Sequence, residues 1–136
     1  LARILGIDYG LKRCGIAVTD PFQIIVNALD TVETKNLESF LSKYFETEQV
    51  EKIVFGHPVH KDGNDTYLVK NIQDFCKKIQ NKWPEKIIDF QDESFTSVMA
   101  KDAIMMSGAK KKKRQDKALV DRISAVFILQ KYLKHI

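Results

Sequence analysis

The spacing of apolar positions changes period several times along the chain, and each change marks an element. RILGID (3–8) and CGIAVTD (14–20) are apolar runs of strand length, and the connection YGLKR with its Gly10 suits a tight hairpin. A third β-rich run, IIVNALDTV (24–32), is entered through the turn opener Asp20-Pro21. The period then becomes helical, with Leu37, Phe40, Leu41, Tyr44 and Phe45 on one face and Asn36 placed as an N-cap. KIVFG (52–56) reads as a short buried strand, followed by the loop GHPVHKDGND. A second helix carries Leu68, Ile72, Phe75, Cys76 and Ile79 along one face and ends near Trp83-Pro84. KIIDF (86–90) is a fifth strand running into QDESFTS, a third helix covers 96–107 and stops at Gly108, and a strongly apolar helix covers 116–134.

This order, βββαβαβαα, restricts the topology. Three strands joined by short turns form an antiparallel meander, because hairpins allow nothing else. The two later strands each arrive through a helix, so they lie parallel to the first with right-handed crossovers. The expectation is an α/β domain spanning 1–136, with a mixed five-stranded sheet flanked by helices. At 136 residues the chain is long enough for one hydrophobic core and too short for two.

Composition adds little to that picture, but charge changes it. Hydrophobic residues make up 44% and charged residues 29%, an ordinary globular balance, and no apolar run approaches a membrane span or a secretory leader. Cys14 and Cys76 fall in different elements without CxxC spacing, which suits two reduced thiols in a cytoplasmic protein. The formal net charge is +4, yet KKKKRQDK (110–117) alone holds six basic side chains and one acid, a local +5, so the rest of the chain sums to about −1. Such a concentrated patch suits a polyanion; the bland alternative is a solvated basic loop.

Three acidic positions break the hydrophobic pattern. Asp8 ends the first strand, where an open α/β sheet places ligand groups, although it could also cap the hairpin. Asp92 and Glu93 follow the fifth strand at the same edge of the sheet, although an acid there also suits the dipole of the next helix. Asp121 shares a helix face with Lys117, Ser124, Ala125, Ile128 and Tyr132, so it points inward, either paired with Lys117 one turn earlier or joined with other acids around a cation. Three carboxylates meeting at one edge would be oxygen ligands for hard Mg²⁺ or Mn²⁺. A pair of such ions can activate water against a phosphodiester. His57 and His60 lack the spacing of a zinc site.

GIDYGLKRCGIAVTD (6–20), the Gly56-x-Pro58 turn, Asp62-Gly63, DESFTS (92–97) and KALVDRISAVFILQKYL (117–133) together resemble the YqgF/RuvX family. Its bacterial members have an RNase H-like fold and are described both as Holliday junction resolvases and as nucleases maturing the small-subunit ribosomal RNA precursor. The resemblance spans nearly the whole chain and implies a metal-dependent nuclease with an acidic triad on Asp8, Glu93 and Asp121, Asp92 being auxiliary. On this reading Mg²⁺ or Mn²⁺ is the cofactor and pre-rRNA or branched DNA the partner. Lys12, Arg13, Lys110, Lys111, Lys112, Lys113, Arg114 and Lys117 would grip flanking phosphates. Two positions depart from the family: His57 replaces a hydrophobic residue inside the GxP turn, and Ser94 replaces an arginine after the Asp-Glu pair. Two other classes compete. One is an ATP-binding module of the actin-like kinases, which needs two such domains; the other is a non-catalytic nucleic-acid binder. A two-fold dimer would favour junction DNA and a monomer RNA.

Overall fold

A strand whose side chains alternate between two buried faces needs a different partner on each, and the first strand meets that condition. The computed structural model describes residues 1–57, 63–93, 96–108, 110 and 116–136, with the backbone alone at 63–66 and 97. Strands β1 (Arg3–Tyr9), β2 (Arg13–Thr19) and β3 (Val26–Glu33) form the expected antiparallel meander. Helix α1 (Leu37–Thr47) leads to β4 (Val50–His57), and α2 (Gly63–Lys82) leads to β5 (Ile87–Asp92). Both late strands are parallel to β1, in the sheet order β3-β2-β1-β4-β5, so β1 is central. Helices α3 (Thr96–Met106) and α4 (Lys117–Tyr132) complete the described elements.

The pleat sorts the core into two layers. Leu5, Ile7, Cys14, Ile16, Ile53 and Phe55 pack with α1 and α2 through Leu37, Leu41, Ile72, Cys76 and Ile79. On the other face, Ile4, Ala17 and Val54 pack with Ala125, Ile128 and Leu129 of α4. That second face is lined by small residues. A methyl group added at Gly6 would overlap the Leu129 side chain, and one at Gly15 would overlap the main-chain carbonyl of Asp121. Helix α4 therefore lies directly on the sheet backbone at β2.

Boundaries move from expectation where side chains decide them. Strand β3 begins at Val26 because the Asp20 carboxylate accepts from the N–H groups of Phe22, Ile24 and Ile25 at 3.1, 2.7 and 2.7 Å, which holds 20–25 as a turn. Asn36 makes no side-chain cap; a 3₁₀ turn, Thr34–Asn36, runs into α1 instead. Helix α4 is capped by Asp116, whose carboxylate accepts from Ala118 N and Leu119 N, and it ends before Lys134, which takes a left-handed φ of 61°. Gly108, at φ +79°, follows α3 as its sequence position suggests. Cys14 and Cys76 are free and buried, and burial pushes their thiols up to about 11 and about 12.

Candidate functional site

The first strand delivers Asp8 to the small-residue face. Ile7 and Tyr9 point into the α1–α2 layer, so pleat alternation turns Asp8 toward α4. Asp8 also stands opposite Gly15 in the β1–β2 register, and Gly15 is the residue on which the α4 backbone rests at Asp121. The close approach that glycine allows is what brings the Asp121 carboxylate within reach of Asp8 through its charge. Glu93 arrives from the adjacent parallel strands. Its N–H donates to the His57 carbonyl at 3.2 Å, extending the β4–β5 ladder by one residue. A methyl group at Gly56 would meet Glu93 Oε2 at 2.5 Å and Ile128 Cδ1 at 2.6 Å, so the bare backbone of Gly56 makes the space in which the Glu93 carboxylate lies.

Asp8 and Glu93 are hydrogen-bonded through their side chains, and Asp121 acts on Asp8 through its charge. Two carboxyls hydrogen-bond only by sharing a proton. Burial pushes the Asp8 carboxyl up to about 6, the Glu93 hydrogen bond opposes that rise, and the Asp121 charge adds to it. Burial also raises Asp121, against the opposing pull of Arg13. At the start of α3, Thr96 N and Oγ1 donate to the Glu93 main-chain oxygen at 3.1 and 2.9 Å.

The salt bridge weighed for Asp121 forms, but with a different cation. Arg13 Nε donates to Asp121 Oδ2 at 2.7 Å, whereas Lys117 is exposed at the first position of α4. Arg13, expected among the phosphate-gripping residues, is thus committed to a carboxylate here. The cause is tertiary: Arg13 opens β2, two residues before the glycine on which Asp121 rests. Lys12 and Lys110 are exposed; Lys111, Lys112, Lys113 and Arg114 lie outside the described residues, as do Pro58, His60, Asp62 and Ser94. Asp92 is exposed at the end of β5, paired with His57. The His57 ring stands edge-on to Phe90, with centroids 6.1 Å apart, and flanks a pocket of about 280 Å³ lined also by Val69, Ile72 and Gln73. His57 is exposed and stands on the α2 side of the sheet.

Apolar periodicity did not single out Gly15 and Gly56, which set the positions of two of the three acids. Nor did it single out Thr31, whose Oγ1 donates to the Ala118 carbonyl at 2.6 Å and anchors the start of α4. The glycines did leave a signal: small residues alternate with large apolar ones along β1, β2 and β4.

Among the described residues, no three His, Cys, Asp or Glu side chains stand in a ready metal-binding arrangement. The donor chemistry nevertheless fits a hard divalent cation. The three groups are all carboxyls, and two of them are raised by burial, so they gain from any added positive charge. A testable consequence concerns pH. A carboxyl whose folded-state pKa lies above its unfolded value near 3.8 favours the fold when protonated. In EDTA the protein should lose on the order of 3 kcal/mol as pH rises from about 4 to about 6, because each pH unit between the unfolded and folded values is worth about 1.4 kcal/mol. Urea unfolding across that window should show the loss in the wild type and a flattened profile in Asp8→Asn.

Comparison with known proteins adds relatives to this geometry. A family model described as "RuvX: Holliday junction resolvase" matches residues 2–135. A Phocaeicola vulgatus protein named "Putative pre-16S rRNA nuclease" is 50% identical over 134 residues, covering 98% of this chain and 96% of the relative. A Christiangramia forsetii protein of the same name is 47% identical over 133 residues, covering 98% of each. Among solved structures, Thermus RuvC ("T. thermophilus RuvC in complex with Holliday junction substrate") matches with a TM-score of 0.59 at 13% identity, over 99% of this chain and 96% of that one. The fowlpox virus Holliday junction resolvase matches with a TM-score of 0.53 at 15% identity, over 98% and 99%. At such identities these two likenesses establish the RNase H-like fold alone.

Proposed function

Because the chain belongs to the RuvX family, we propose that it is a metal-dependent nuclease hydrolysing phosphodiester bonds of structured nucleic acid, acting at the 5′ end of the pre-16S rRNA. The observation that carries this reading is the carboxyl cluster: Asp8 on the central strand, hydrogen-bonded to Glu93 and facing the charge of Asp121. Asp8, Glu93 and Asp121 would hold Mg²⁺ or Mn²⁺, which supplies Lewis acidity to a phosphodiester and a more acidic bound water. Asp8, which interacts with both of the others, would be the ligand they share. The hydrophobic floor under it keeps the carboxylates desolvated, which strengthens every charge interaction at the rim.

Substrate binding falls to the cations around this rim. Lys12 projects from the hairpin and Lys117 from the start of α4, both exposed and both near an acid of the cluster in sequence. Lys110 begins the basic run. Phosphate contacts give affinity and salt dependence without base reading, so strandedness and shape supply specificity. Replacing Lys110–Lys113 by glutamine should weaken binding of a pre-16S fragment and lower the slope of log K against log salt by up to roughly 3, at ~0.7–0.9 per lost phosphate contact. An unchanged slope would identify the run as a solvated loop.

The defining experiment incubates the purified chain with a 5′-extended pre-16S fragment and with a four-way DNA junction, each in Mg²⁺ and in EDTA. Cleavage of the RNA in Mg²⁺ alone is expected. Preferential resolution of the junction would move the substrate to branched DNA, the reading favoured by the family's description. Binding of both without cleavage would overturn the nuclease assignment in favour of a non-catalytic binder.

A further inference from the structure

Arg13 and Asp121 are 108 positions apart, yet the guanidinium Nε lies 2.7 Å from Asp121 Oδ2. Such a contact could be a strut that ties α4 to β2. The packing makes a strut unnecessary. Helix α4 is already anchored by the Thr31–Ala118 hydrogen bond and by Ala125, Ile128 and Leu129, all buried on the small-residue face. The contact has instead an electrostatic consequence. A guanidinium does not lose its proton in a protein, so Arg13 places a permanent positive charge on one member of the carboxyl cluster. It also occupies lone pairs that a cation would need. Its side chain is 38% exposed, against 25% for Asp121, so it has a path to solvent when it lets go. The neighbouring Lys12 is exposed on the same hairpin.

Resting on the nuclease reading, we propose that Arg13 is a resident counter-ion for Asp121 that an incoming divalent cation displaces, and that the displaced guanidinium then serves a substrate phosphate, so that metal loading and nucleic-acid binding reinforce one another. Arg13 stabilises the third carboxylate while no metal is bound, which limits the repulsion within the cluster. Metal entry takes over that task and converts Arg13 from a ligand of the protein into a ligand of the polyanion. Linkage requires the effect to be reciprocal: nucleic acid that engages Arg13 must raise metal affinity by the same factor that metal raises nucleic-acid affinity.

The test measures Mn²⁺ binding by calorimetry for the wild type, Arg13→Gln and Arg13→Lys, with Asp8→Asn marking the site. It also measures affinity for a labelled pre-16S fragment in EDTA and in Ca²⁺. Arg13→Gln should bind Mn²⁺ five- to tenfold more tightly than the wild type, while the gain in RNA affinity on adding Ca²⁺ shrinks by a similar factor. Arg13→Lys keeps the charge without the planar fork; it should fall between the two and covers the case in which the glutamine variant folds poorly. Equal or weaker Mn²⁺ binding by well-folded Arg13 variants overturns the displacement, and tighter metal binding with unchanged RNA coupling overturns the phosphate step. If the wild type binds Mn²⁺ at an Asp8-dependent site and cleaves RNA, either failure leaves the nuclease reading standing. Absence of any such site in wild type and variants ends both.

Discussion

Asp8→Asn is expected to lower Mg²⁺-dependent cleavage by at least about 10³-fold, equivalent to about 4 kcal/mol of transition-state stabilisation. The amide keeps the shape of the side chain and one oxygen but removes the negative charge that lies between Glu93 and Asp121. The same substitution should make the protein more stable in EDTA at pH 7, since it relieves a buried carboxylate whose ionisation is opposed by burial and by the Asp121 charge. Opposite signs for activity and stability separate a functional carboxylate from a structural one, whose loss would lower both. Single-turnover cleavage of a pre-16S fragment, beside urea unfolding of the same preparations, measures the two quantities. Unreduced cleavage by Asp8→Asn would sink the assignment of the acidic cluster as the catalytic centre.

Gly15→Ala is expected to cost at least about 3 kcal/mol of folding stability and to remove cleavage as well. Its new methyl group would overlap the carbonyl carbon and oxygen of Asp121, and Arg122 N at 2.9 Å, all of them main-chain atoms of α4. No side chain can rotate to make room, so the helix must lift from the sheet. Lifting it loosens Ala125, Ile128 and Leu129 and carries Asp121 away from Asp8. Gly56→Ala is a useful contrast. Its nearest contacts are the ends of the Glu93 and Ile128 side chains, which can move, with Glu93 Cβ next at 3.1 Å, so it should cost only about 1–2 kcal/mol. Urea midpoints at constant m value compare the two. Equal effects would show that α4 is not held on the sheet in the way the contacts indicate.

The elements were legible in the sequence because the signals that specify them are local. Alternation over 3–8 and 14–20, helical spacing over 37–45 and 68–79, and the turn residues between them constrain each segment without reference to the others. Connection lengths then fixed which strands pair antiparallel and which parallel, and the sheet order β3-β2-β1-β4-β5 follows that logic. Strand-end positions for Asp8 and Glu93 and an inward face for Asp121 came from the same local rules.

The partner of each acid was a tertiary matter. One helical turn connects Asp121 to Lys117, so local spacing pointed there, but helix neighbours share a face without being obliged to meet. The cation that does meet it, Arg13, comes from the other end of the chain because Gly15 and Ala17 let α4 settle on β2. Likewise, the sequence places Glu93 after β5, but only the gap above Gly56 sets its carboxylate against Asp8. The chain's local periodicities determined the strands, helices and pairing order by themselves. Which charges share one rim was decided only when backbone met backbone, since contact across 108 residues depends on how closely two surfaces approach, a property no single segment encodes.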